Sequence, residues 1–143
     1  MLKRKATPWE WYSVKLLFES IISGEPDNEV IDENYCDTAK LYEEKVLLVR
    51  AQSFDHAYRV AERSGKTQEM TYNNHYNQTV HCCFVRALDC CRLFDSRIKS
   101  GTEVYFRLYR MPVDKKTDDV IESLYPETLQ GEDVPLFNFL INE

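Results

Sequence analysis

The chain has 143 residues, 43% of them hydrophobic and 13% aromatic, with a formal net charge of −6. That length and composition suit one folded domain, 1–143, with a core of its own, and they exclude disorder. No apolar run is long enough to cross a bilayer, and the basic opening 1–5 leads into Trp9 without an apolar segment, so neither a membrane span nor a secretory leader is expected.

Residues 11–19 alternate. Tyr12, Val14, Leu16 and Phe18 fall on one side and Trp11, Ser13, Lys15, Leu17 and Glu19 on the other, which predicts a half-buried strand. Ser23-Gly24-Glu25-Pro26-Asp27-Asn28 ends it with turn residues, and the stretch of about 20–44 reads as a long acidic loop. The compact apolar run 45–51 predicts a central strand covered on both faces. A helix follows, with Ser53 as N-cap, Phe54, Ala57, Tyr58 and Ala61 as its apolar stripe, and Gly65 in the left-handed position just past its end.

Residues 69–74 predict a third strand, 73–78 a polar turn around His75 and Tyr76, and 79–91 a fourth strand with Val80, Cys82, Phe84, Leu88 and Cys90 on one face. A fifth strand is expected over 102–111, with Val104, Phe106 and Leu108 inward and Glu103, Tyr105, Arg107 and Tyr109 on the other face, ended by Pro112. Thr117 is expected to cap a short helix with Val120, Ile121 and Leu124 as its stripe, closed by Pro126. The apolar tail of about 129–143 is expected to dock on the body. This order predicts an α+β fold: an antiparallel or mixed sheet of about five strands with two helices packed on one face.

The charge is unevenly placed. Between Ser20 and Glu44 stand Glu25, Asp27, Glu29, Asp32, Glu33, Asp37, Glu43 and Glu44 against Lys40 alone, while the remaining acids and bases nearly cancel. Phosphate contacts need clustered Lys and Arg, so nucleic acid is not the expected ligand.

Five cysteines are an odd number, and Cys82-Cys83 and Cys90-Cys91 sit as adjacent pairs in apolar stretches, which suits reduced thiols in the cytoplasm better than a disulfide framework. Adjacent side chains on a strand face opposite ways, and Cys82 and Cys90 are eight residues apart on one strand, so His81 and these thiols do not make a zinc site. A His81/Cys83 nucleophilic pair lacks an orienting acid and an oxyanion hole. His56 and His75 fall on polar positions, the four glycines are scattered, and the paired carboxylates Asp32/Glu33, Glu43/Glu44, Asp118/Asp119 and Glu132/Asp133 lack the contrasting environments that acid–base catalysis requires. No catalytic residue, metal or cofactor is therefore expected.

The opening Trp11-Tyr12-Ser13-Val14-Lys15-Leu16-Leu17-Phe18-Glu19-Ser20 resembles the first strand of small bacterial proteins grouped as domain of unknown function 4288. So do the strand–helix unit from Tyr42-Glu43-Glu44 through Ala51, Ser53 and Ala57 to Ala61, Thr71-Tyr72-Asn73-Asn74, and Gly101-Thr102-Glu103-Val104-Tyr105. The resemblance spans roughly residues 9–111. It implies a bacterial, stand-alone domain and brings no functional residues with it; domains of this kind often occur as immunity proteins beside toxins.

Two features are expected to carry binding. Glu25, Asp27, Glu29, Asp32, Glu33 and Asp37 form a loop suited to steering onto a basic groove such as a nuclease's. Tyr105, Arg107 and Tyr109, with Trp9 and Trp11 nearby in kind, are the residue types that anchor interfaces. The reading is a non-enzymatic, cytoplasmic protein-binding module, an immunity-type inhibitor of a basic toxin domain. The alternative is a structural or regulatory homo-oligomer, a homodimer paired through the aromatic strand face or a strand edge, and a third reading is a Cys/His-dependent enzyme.

Overall fold

The alternation between Trp11 and Glu19 builds the spine of the molecule. Strand β1 (Glu10–Ser23) buries Tyr12, Val14, Leu16 and Phe18 on one face, the last three with no exposed surface. Each such side chain contributes about 1.5–3 kcal/mol by leaving water. The computed structural model describes residues 6–126, and the chain divides into two compact units, Met1–Phe106 and Arg107–Glu143. The first unit continues with β2 (Tyr42–Ala51), α1 (Phe54–Thr67), β3 (Met70–Asn73) and β4 (Thr79–Arg92); the second holds α2 (Thr117–Leu124). The expected docking of the tail falls on residues outside those described.

Among the described residues the sheet is antiparallel and has four strands in the order β2-β1-β4-β3, not about five. Helix α1 covers one face. Ala57 and Ala61 are fully buried, and Tyr58 and Val60 pack beside them against β1, Leu47, Val49 and Ala51 of β2, and Phe84, Ala87 and Cys90 of β4. Small residues on the helix let it approach the sheet closely.

Gly65 belongs to this approach. It was expected beyond the helix end, yet α1 runs on to Thr67 and Gly65 lies inside it, buried. A Cβ there would meet the Phe84 ring at 2.9 and 3.0 Å and Leu16 Cδ1 at 3.1 Å. The missing side chain is used for packing; the chain leaves the helix through Gln68 in an ordinary right-handed conformation.

β2 is an edge strand, where the run 45–51 had suggested a central one. Its burial alternates, with Val49 and Ala51 buried under α1 and Tyr42, Glu44, Val46, Leu48 and Arg50 exposed on the other face. β4 departs from strict alternation too. Its pairing with β1 shifts twice, leaving Val85 and Leu88 as extra residues, so that Phe84, Ala87 and Cys90 face the helix and Leu88 points outward. Each bulge moves the following residues to the opposite side.

Among the described residues no fifth strand forms. The bulges break the outer edge of β4, leaving no regular ladder for one. Residues 102–106 instead attach through individual contacts. The Tyr105 hydroxyl donates to Asp89 at 2.9 Å, the Lys15 ammonium lies 4.6 Å from the Tyr105 ring centre, and Cys91 Sγ donates to the Phe106 carbonyl at 3.3 Å. The expected inward side chains are not covered: Val104, Phe106 and Leu108 are exposed, Leu108 to 87%, whereas Tyr105, expected on the outer face, is half-buried.

In the second unit, α2 starts one residue earlier than expected. Lys116 occupies the N-cap without a side-chain bond, and Thr117 is the first helical residue. Asp118 and Asp119 in the first turn place negative charge at the positive end of the helix dipole, a favourable arrangement. Val120, Ile121 and Leu124 form its half-buried stripe.

Candidate protein-binding surface

The acidic segment is narrower than its composition suggested, because β1 extends to Ser23 and β2 begins at Tyr42. Gly24 makes the exit turn at φ +94°, a conformation L side chains rarely adopt. The loop does not hang free. Its anchor is the turn between β3 and β4, shaped by its own polar side chains: Asn74 Oδ1 accepts from the amides of Tyr76 and Gln78, and Asn77 sits in the left-handed region at φ 59°. Asn tolerates that region better than most residues.

Four attachments tie loop to turn. Buried Gln78 donates from Nε2 to the Gly24 carbonyl at 3.0 Å; the Asp27 amide donates to the Tyr76 carbonyl at 2.8 Å; Asn77 Nδ2 donates to Asp27 Oδ2 at 3.3 Å; and the Tyr76 hydroxyl donates to Asp32 Oδ1 at 2.7 Å. The Tyr35 ring then stands edge-on to Tyr76 at 4.9 Å between centroids. Within the loop, Asp27 and Asp32 each cap a local turn by accepting from the amides of Glu29 and Asn34. The Tyr76 hydroxyl holds the Asp32 carboxyl below its ordinary value, and the same bond pushes the Tyr76 phenol up to about 12.

The six carboxylates expected to act together thus divide by role. Asp27 and Asp32 fasten the loop through neutral partners, whereas Glu25, Glu29, Glu33 and Asp37 are exposed. Among the described residues, none of the six forms an ion pair with Lys or Arg; the acids that do are Glu10, Glu19, Glu43 and Glu44, the last with Lys15 at 3.5 Å. Lys40, the loop's own base, is drawn to Glu19 at 2.8 Å. Negative charge therefore remains outward-facing, on a loop of defined shape.

The aromatic face does not form as expected. Tyr105 is committed to Asp89 and Lys15. Arg107 and Tyr109 lie in the second unit, both exposed, with the guanidinium 5.1 Å from the Tyr109 ring centre. Trp9 stacks edge-on with His56, and Trp11 lies under Arg50.

Cys36 stands in no pattern that marks it in the sequence. It lies in a groove of about 330 Å³ with Ile21, Ile22, Tyr35 and Lys40, and it is the exposed member of five free cysteines. The Thr38 hydroxyl and neighbouring amides pull its thiol down. Burial pushes Cys82 and Cys83 up, and Cys90 up to about 11. The His81 ring is hydrogen-bonded to Thr71 at 2.7 Å, and Cys83 Sγ instead lies 3.7 Å from the His81 carbonyl. Among the described residues no helix is long and apolar enough to cross a membrane.

No curated protein and no solved structure matches the chain. A family model does match, over residues 11–106, which contain β1 from its second residue through β4, the acidic loop and the attachments of Tyr105. The chain belongs to the family described as domain of unknown function (DUF4288).

Proposed function

We propose that the protein is a binding module that presents the loop between β1 and β2 to a basic surface on another protein, in the manner of an immunity-type inhibitor covering the active site of a toxin such as a nuclease. The supporting observation is the pinned loop: Glu25, Glu29, Glu33 and Asp37 remain exposed and unpaired with Lys or Arg among the described residues, while Asp27 and Asp32 hold their backbone against Tyr76 and Asn77. Fixing the loop beforehand reduces the ordering cost of association, and exposed like charge accelerates encounter with a cationic partner. Against the His81/Cys83 enzyme reading stand the His81 ring's bond to Thr71 and the raised thiol of Cys83, which favours the weakly nucleophilic protonated form.

The test is affinity capture with the full chain and with its Glu25→Gln/Glu29→Gln/Glu33→Gln variant, followed by a toxicity assay of the captured protein with and without co-expression. The proposal expects a cationic protein held by the parent, lost by the variant, and made harmless by the parent alone. Equal capture and equal protection by both chains would overturn it.

A further inference from the structure

The two edges of the sheet are built differently. On the β3 side, the edge is a four-residue strand followed by the twice-bulged part of β4. Short strands and bulges of this kind discourage another strand from pairing. On the other side, β2 runs for ten residues without a register shift, and it contains neither proline nor glycine. Among the described residues nothing pairs with its outer edge.

Its backbone polarity follows from one bond. The Ser20 amide donates to the Leu41 carbonyl at 3.0 Å, in line with the β1–β2 register. Hydrogen-bonded pairs alternate along an antiparallel ladder, so Glu43, Lys45, Leu47 and Val49 bond to β1. The N–H and C=O groups of Tyr42, Glu44, Val46, Leu48 and Arg50 consequently point away from the sheet. These are also the residues whose side chains lie exposed on the face away from α1, Tyr42 to 53%, Val46 to 45% and Leu48 to 39%.

We infer that β2 pairs with β2 of a second copy of this chain, antiparallel about a two-fold axis at Leu47, making one continuous eight-stranded sheet. The charge pattern selects this register. A two-fold axis pairs one residue with its own copy. Centred on Leu47, it sets Glu44 opposite Arg50 and Val46 opposite Leu48, each twice, with both pairs at hydrogen-bonding positions. Centring on Val46 sets Glu44 against Leu48; centring on Leu48 sets Val46 against Arg50. On the face away from α1, the Leu47 register is the one of these three that matches charge with charge and apolar with apolar, and cross-strand pairs of both kinds stabilise a sheet. The Arg50 guanidinium is already held at the edge by the Trp9 carbonyl and the Trp11 ring. The acidic loops, each entering β2 at Tyr42, come out at opposite ends of the paired strands and stay accessible. The inference does not depend on what the loops bind.

Sedimentation velocity of the full chain across a concentration series tests it, with Glu44→Arg and Arg50→Glu made singly and mixed. The parent is expected to dimerise. Each single reversal places like charges opposite one another twice and is expected to weaken the dimer at least about tenfold. Mixing the two variants restores opposite charges at both positions and is expected to recover the dimer. Circular dichroism of each variant establishes that it is folded. A parent that stays monomeric throughout, or a dimer that neither reversal weakens, or a mixture no tighter than its folded components, would overturn the inference.

Discussion

The Tyr76 hydroxyl and the Asp32 carboxylate meet at 2.7 Å although 44 residues separate them in the chain. This bond fastens the acidic loop to the β3–β4 turn, and each partner records it in its proton affinity: the carboxyl is held down and the phenol is pushed up to about 12.

The pH dependence of docking follows in sign from these shifts. A raised phenol stabilises the docked loop below its ordinary value of 10.0, and that contribution is lost as pH rises from there through about 12. A lowered carboxyl stabilises it above the ordinary carboxylate value, and that contribution is lost as pH falls through the depressed value. Nuclear magnetic resonance titration of the Tyr76 ring is expected to show a midpoint near 12 that drops toward 10 in Asp32→Asn. Equal midpoints in both proteins would show that the bond does not form in solution.

Tyr76→Phe removes the hydroxyl and keeps the ring beside Tyr35. Amide hydrogen exchange is expected to quicken over residues 27–35 and to stay unchanged in β1 and α1, because the loop opens without the sheet. Acceleration spread through the core instead would assign Tyr76 to global stability.

Gly65→Ala tests how closely α1 approaches the sheet. Alanine gains up to about 1 kcal/mol in helix propensity, but its Cβ meets Phe84 and Leu16 at 2.9–3.1 Å. Overpacking costs about 1–3 kcal/mol. The net expectation is a lower Tm by thermal unfolding; a higher Tm would mean that the Phe84 ring yields freely.

Among the five thiols, Cys36 is expected to react first with iodoacetamide, being exposed and pulled down by Thr38. Peptide mapping of the modified protein reads the order, and Cys36→Ser is expected to abolish the fast phase. Earlier modification of Cys83 would contradict the account of the thiols.

Much of the fold was legible where a pattern is local. The alternation of Tyr12, Val14, Leu16 and Phe18 gave β1 and its buried face, and Ser53 with Ala57 and Ala61 gave α1, whose cap bond from the His56 amide to Ser53 Oγ is 3.1 Å. The run at Val46-Leu47-Leu48-Val49 suggested a central strand because it is apolar on both sides. Glu44 and Arg50, which flank Val46 and Leu48 on the same side of the strand, were the signal that this face meets water. The bulges at Val85 and Leu88 leave no mark that periodicity detects, and they inverted the expected facing of Leu88. Tyr105 read as half of an exposed face because Asp89 and Lys15, its partners, are distant in the chain. The acidic residues were found by composition alone, but their division into fasteners and free charges depends on Tyr76 and Asn77, which no local rule links to Asp27 or Asp32.

The central claim is that the pinned loop carries the free negative charge by which the protein meets a cationic partner. Stopped-flow association of the full chain with the protein it captures, measured across ionic strength for the parent and for Glu25→Gln/Glu29→Gln/Glu33→Gln, tests it most directly. The account predicts a parental rate that falls steeply with salt and a variant rate that is slower and nearly flat. Identical rates and identical salt dependence for the two chains would contradict it.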